Sequence, residues 1–147
     1  MTNQAELLTP DNAQIIFIDH QPQMAFGVAS IDRQTLKNNV VALAKAAKLF
    51  NIPTIITTVA ADSFSGPFMH EVTDLFPDHK VIARTGMNSW LDANFREAVA
   101  ATGRKRFVLA GLWTEACVTF PTLDMLREGY EIFIAADACG DLSAEAH

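Results

Sequence analysis

The chain reads as an α/β domain, a parallel sheet with helices packed on both faces. Three observations predict it. Short apolar, β-branched runs of strand length recur along the sequence. Segments with apolar residues at helical spacing lie between them. Strands and helices therefore alternate, which is the pattern of parallel sheets.

The elements follow in order. Residues 14–19, QIIFID, are a continuous apolar run ending in an acid, and read as the first strand. Leu36, Val40, Leu43, Ala47 and Phe50 fall on one face of a helix that Asp32 is placed to cap. Asn51, Ile52 and Pro53 stop it, and residues 54–58, TIITT, form the second strand. Residues 60–67, AADSFSGP, have loop composition, and residues 70–76 suit a short helix. A weak third strand is expected over 80–83. Phe95, Ala98, Val99 and Thr102 mark a helix that Gly103 ends. Residues 106–111 are the fourth strand. Leu123, Leu126 and Tyr130 mark the next helix, with Gly129 near its end, and residues 131–136 are the fifth strand. The last five residues, SAEAH, read as a helix only just begun. The sequence is thus expected to be one domain over 1–147 whose C-terminal part is missing.

Composition narrows the function. The chain has 147 residues, half of them apolar, enough for one domain with a sizeable core. Its formal charge of −6, with both signs interspersed, argues against a nucleic-acid partner. The first residues lack a basic-then-apolar signal region, and no apolar run approaches the ~20 residues of a membrane helix. A cytoplasmic location with reduced thiols is expected. Cys117 and Cys139 stand in neither a CxxC pair nor a zinc spacing. No glycine-rich phosphate loop follows the first strand, where IIFIDHQPQM stands. A nucleotide or flavin cofactor therefore has little support, and no cofactor is expected.

The chemistry concentrates at one sheet edge. In a parallel sheet the carboxyl ends of all strands lie together, and ligands bind there. Asp19 ends the first strand, Arg84 follows the third, Thr114, Glu115 and Cys117 follow the fourth, and Asp137 follows the fifth. A thiol where a strand hands over to a helix is placed near backbone N–H groups that favour a thiolate. A nucleophile, a general base and a charge stabiliser thus meet at one rim. Each residue also has a plainer reading. A cysteine taken at random is most often inert core, and Cys139 reads so. Asp19 is as apt to cap a turn, Asp137 more apt, and Arg84 suits a surface ion pair. His20 points to the opposite face from Asp19 and reads as structural or as a pocket wall. Pro121 suits the first turn of a helix starting near Thr119, or a kink in one starting at Cys117.

Three segments together resemble the isochorismatase-like cysteine hydrolases, and within them the YcaC-like subgroup. They are IIFIDHQ, VIARTGMNSW and GLWTEACVTFPTL, in an order and spacing that agree from about residue 12 to 141. The resemblance implies a Rossmann-like, three-layer α/β/α sandwich of about six parallel strands, the sixth lost here with the missing end. It implies a catalytic triad of Asp19, Cys117 and Arg84, with Arg where much of the family has Lys. Arginine keeps the charge but does not readily give up a proton. It implies a cis peptide between Trp113 and Thr114. It implies no metal, because the VAADSFSGPF segment lacks the Asp-x-His motif of metal-binding nicotinamidases.

The mechanism so implied is hydrolysis of a small amide or related C–N substrate, whose identity the sequence leaves open. Asp19 takes the thiol proton, the Cys117 thiolate attacks, and an acyl-enzyme forms and is released by water. Backbone N–H groups of Thr114 and Cys117 hold the oxyanion. Gln21, Phe26, Asn88, Trp90 and Trp113 are candidate substrate-binding walls from position alone. The alternative is a redox-responsive or ligand-binding thiol protein without turnover. The family resemblance also implies a homo-oligomer, as a dimer, tetramer or larger ring.

Overall fold

The computed structural model describes residues 7–147. Among them are five strands, β1 (Ala13–Ile18), β2 (Thr54–Val59), β3 (Ile82–Arg84), β4 (Arg106–Gly111) and β5 (Glu131–Ile134). All pair in parallel, in the order β3-β2-β1-β4-β5. Strand order reverses between β1 and β4, which places a switch point at their carboxyl ends.

Five helices connect the strands: α1 (Pro22–Phe26), α2 (Arg33–Leu49), α3 (His70–Thr73), α4 (Ala93–Ala100) and α5 (Thr119–Arg127). Crossovers between parallel strands are right-handed. The steps β1 to β2 to β3 run one way across the sheet, and β3 to β4 to β5 run the other. Helices α2 and α3 therefore share one face and pack together, while α4 and α5 cover the opposite face. This is the expected three-layer sandwich.

β1 and β2 are buried at every position, as strands covered on both faces must be. Phe17, Ile16, Ile18, Ile56, Phe107 and Leu109 fill the centre, with Leu36, Val40, Ala44 and Ala47 packing down from α2. Asp32 caps α2 as expected, accepting from the Thr35 N–H at 2.8 Å. Phe50 stands outside this core, because α2 ends at Leu49 and turns its last apolar residue to solvent.

Several boundaries differ from expectation. β3 extends through Arg84, so this residue ends the strand rather than following it. β5 stops at Ile134, and α3 at Thr73. α1 lies in a stretch where the sequence predicts no element; Pro22 starts it, where its fixed φ suits a first helical turn. Residues 143–147 form turns rather than a helix start, with the His147 N–H returning to Ser143 O at 3.2 Å.

Candidate active site

Two adjacent strands position the acid and the thiol. β1 runs out at Ile18, and Asp19 adopts a left-handed φ of +56°. Aspartate tolerates this region better than most residues. Its N–H still donates to Thr57 O at 3.0 Å, while its own carbonyl accepts from Gln21 at 2.8 Å. A tight turn thus fixes the backbone and directs the carboxylate across the end of the sheet.

On the neighbouring strand, Gly111 lies so close to β1 that a Cβ there would meet Ile18 Cβ at 2.7 Å and Ile18 O at 2.8 Å. Glycine lets the strands close up at this point. The ladder persists one residue further, with Leu112 N–H donating to Ile18 O at 3.0 Å. The next peptide, Leu112–Trp113, is cis. This corrects the expected position by one bond, to the peptide directly after Leu112, the last residue held by β1.

A π-helical turn then spans Thr114–Val118, and α5 follows from Thr119. Cys117 therefore sits in the wide turn before α5. Pro121 is the third residue of α5, in its first turn, where it leaves the helix unkinked.

Arg84 reaches this point from β3. Its Nη1 and Nη2 donate to Asp19 Oδ1 and Oδ2, both at 2.8 Å, in a two-pronged ion pair, and Nη2 also reaches Met87 O at 3.3 Å. The surface ion pair considered for Arg84 is thus replaced by a buried one. The thiol of Cys117 hydrogen-bonds to the Asp19 carboxylate. Asp19 is 0% exposed and Cys117 1%, so the centre is sealed. A cavity of about 180 Å³ is lined by Arg84, Thr85, Gly86, Asn88, Leu91 and Asp92. A depression of about 580 Å³ between α2 and α3 is larger, but holds Lys37, Lys45, His70 and Glu71 and no thiol, so size does not mark the chemistry.

The electrostatics reverse one expectation. Burial pushes the Cys117 thiol up to about 12, and the Asp19 carboxylate pushes in the same direction. Arg84 and the Trp113 backbone N–H pull it down, but less. The resting sulfur is therefore a neutral thiol, not the thiolate that a helix N-terminus and Arg84 were expected to favour. Burial also raises Asp19 above the usual carboxylate range, with Arg84 the main opposing influence. The proton rests on sulfur beside a carboxylate of raised basicity.

Other expected residues are placed differently. Thr114 N–H donates to Gly140 O at 3.2 Å, so it is committed away from an oxyanion. Trp113 N–H lies at the sulfur instead. Gln21 is buried and tied to the backbone, with Oε1 accepting from Val59 N–H at 2.9 Å and Nε2 donating to Val59 O and Gly66 O. Asn88 bridges Asp124 and the Trp90 N–H, and the Trp90 indole donates to Glu128 at 2.8 Å while packing on Phe95 and Tyr130. These two residues pin the loop after β3 to α5 rather than walling the centre, although Asn88 also borders the 180 Å³ cavity. Phe26 is 76% exposed under Arg33. Trp113 is half-buried, its indole donating to Met24 O at 2.9 Å. Asp137 is an exposed turn residue, as its plainer reading had it. His20 is structural, its Nε2 2.9 Å from Ala138 O and its ring edge-on to Phe17 and Phe68. Burial pushes it down to about 4, so it stays neutral. Cys139 is core, with its sulfur accepting from Gly111 N–H at 3.4 Å. Among the described residues no three His, Cys, Asp or Glu side chains converge to hold a metal.

An open parallel α/β sheet with a buried acid–guanidinium–thiol cluster at its switch point defines the class. Residues 13–147 match the family described as isochorismatase domain, and the chain belongs to the isochorismatase family. The Escherichia coli K12 protein named probable hydrolase YcaC is 41% identical over 141 residues, spanning 95% of this chain and 68% of that protein. The crystal structure of YcaC from E. coli, described as an octameric hydrolase of unknown specificity, superposes with a TM-score of 0.92, at 41% identity and over 95% and 69% of the two chains. YcaC from Pseudomonas aeruginosa, solved with hexane-2,5-diol and covalent acrylamide, gives 0.95 at 39% identity, over 99% and 72% of the two chains.

Proposed function

We propose that the chain is a cysteine hydrolase that cleaves a small amide or related C–N substrate through an acyl-enzyme. One observation carries the reading: the Cys117 thiol donates to a buried carboxylate whose two oxygens are both fixed by Arg84. As Sγ bonds to the carbonyl carbon, its proton passes to Asp19. In this reading the Trp113 N–H, which lies at the sulfur, and the Cys117 N–H hold the developing oxyanion, each such donor being worth about 3 kcal/mol. Asp19 then gives that proton to the leaving nitrogen as the C–N bond breaks. Water enters, loses a proton to Asp19 and attacks the thioester, and the departing sulfur takes the proton back. Arg84 holds Asp19 in line and supplies fixed positive charge, and it neither gives nor takes a proton.

Family membership and the hydrolase relative support this reading. So does the covalent acrylamide on the P. aeruginosa relative, since acrylamide is an acceptor for soft nucleophiles such as thiolates. The alternative of a redox-responsive thiol is disfavoured by burial and a protonated sulfur, because oxidation follows exposure and thiolate character. The octameric relative supports self-association, which native mass spectrometry would read. The catalytic test uses Cys117→Ser and Asp19→Asn against a panel of small primary amides, following ammonia release. Both variants are expected to lose turnover at least 100-fold. Unchanged rates in both would overturn the mechanism.

A further inference from the structure

The segment just past β5 grips the turn that carries the nucleophile. Gly140 O accepts from Thr114 N–H at 3.2 Å and from Thr114 Oγ1 at 3.3 Å. Asp141 Oδ2 accepts from Glu115 N–H at 2.7 Å, and Oδ1 from Leu142 N–H at 2.7 Å. The Asp141 side chain is fully buried. Its backbone is held from the far side, with N–H donating to Ser30 Oγ at 2.9 Å and its carbonyl accepting from Ala29 at 2.8 Å and Ser30 at 3.1 Å. A carboxylate so enclosed has fixed geometry, and both of its oxygens are used. It draws the Glu115 N–H outward while Gly140 draws the Thr114 N–H. The Trp113 N–H, one residue earlier, lies at the Cys117 sulfur.

We propose that Asp141 is a positioning residue for the nucleophile, acting through Glu115 N–H to hold the Cys117 turn against Asp19. The proposal deepens the hydrolase reading, but its test needs no substrate, so the two can fail separately. Cys117 faces Asp19 and Arg84, and its sealing depends on the turn staying where Asp141 holds it. Releasing the turn lets water reach the sulfur and parts it from the carboxylate, so the thiol ionises more easily.

The experiment alkylates the full chain with iodoacetamide from pH 7 to 10, with peptide mapping of Cys117 and Cys139 in the same sample. Asp141→Ala is expected to speed Cys117 alkylation about tenfold at pH 8 and to shift its pH profile downward, leaving Cys139 within about twofold. Asp141→Asn keeps one carbonyl oxygen for Glu115 N–H and is expected to fall between. An unchanged Cys117 profile in a folded Ala variant overturns the proposal. Equal acceleration at both cysteines also overturns it, since that is general loosening. If Asp141→Ala fails to fold, Asp141→Asn decides alone: a lowered Cys117 profile supports the assignment and an unchanged one refutes it.

Discussion

Replacing Arg84 by methionine keeps the aliphatic stem and removes the charge. Asp19 then loses two charge-assisted hydrogen bonds of 2.8 Å and its counter-ion, at a site with no exposure. Breaking one side of a buried ion pair costs about 3–5 kcal/mol. The pH dependence gives the prediction its edge. Burial already lifts Asp19 above its ordinary 3.8, and Arg84 opposes that rise. Without Arg84 the carboxyl climbs further. An acid whose folded pKa lies above its unfolded one weakens the fold as pH rises through the folded value, and leaves it unaffected below the unfolded value. The loss in Arg84→Met is thus larger at pH 8 than at pH 5, and it fades as pH falls toward the ordinary carboxyl value of 3.8. Urea unfolding followed by tryptophan fluorescence at pH 5, 6, 7 and 8 measures it. With a slope of about 2 kcal/mol per M, the midpoint at pH 8 drops by roughly 1.5–2.5 M. A drop of equal size at pH 5 and pH 8 would refute the buried-pair argument, as would no drop at all.

Alkylation of native Cys117 is expected to rise about tenfold per pH unit from 7 to 10 without a plateau, since the thiol is pushed up to about 12; a plateau below pH 9 would mean a resting thiolate. Gly111→Ala drives a methyl into Ile18 and, at 2.9 Å, into Val118 Cγ2, and should cost about 1–3 kcal/mol in thermal unfolding, against near-neutrality if β1 and β4 can part freely. Gln21→Ala strips partners from the buried Val59 N–H and C=O and should cost about 2–4 kcal/mol; a melting point within about 1 °C of native would show that Gln21 is not the pin described.

The sheet was legible because its signals are local. Runs such as QIIFID and TIITT carry their burial in their own composition, and the end of each strand names its rim residue. Strand ends alone place Asp19, Arg84 and Cys117 on one rim, with Thr114, Glu115 and Asp137, and the family resemblance singles out the three. The surroundings were not legible, because their partners are tertiary. Nothing in the spacing of Asn88 or Trp90 shows that Asp124 and Glu128, over thirty residues on, take their polar groups. Thr114 and Trp113 are adjacent, and which N–H faces the sulfur depends on Gly140, beyond the next strand. The protonation of Cys117 needed the depth of burial, which a helix-terminus argument does not contain. α1 had a usable signal in Pro22, at a position that suits a helix start. Asp141 had none.

Asp19 and the strand that leads to Cys117 hang from neighbouring rungs of one lattice. Asp19 follows Ile18, and Ile18 is paired with Gly111. The spacing between the end of β1, which leads to Asp19, and the end of β4, which leads to the Cys117 turn, is therefore inherited from the inter-strand repeat of about 4.8 Å, a constant of all β-sheets, while the last step to Cys117 is made by the turn itself. Rim loops other than that turn and the 140–141 segment holding it can drift, lengthen and reshape without retuning that spacing. A slip of β1 against β4 by one residue would be another matter, since it turns the carboxylate to the opposite side of the sheet. The strand spacing is in this sense fixed by geometry, while the loops around it are left open to change.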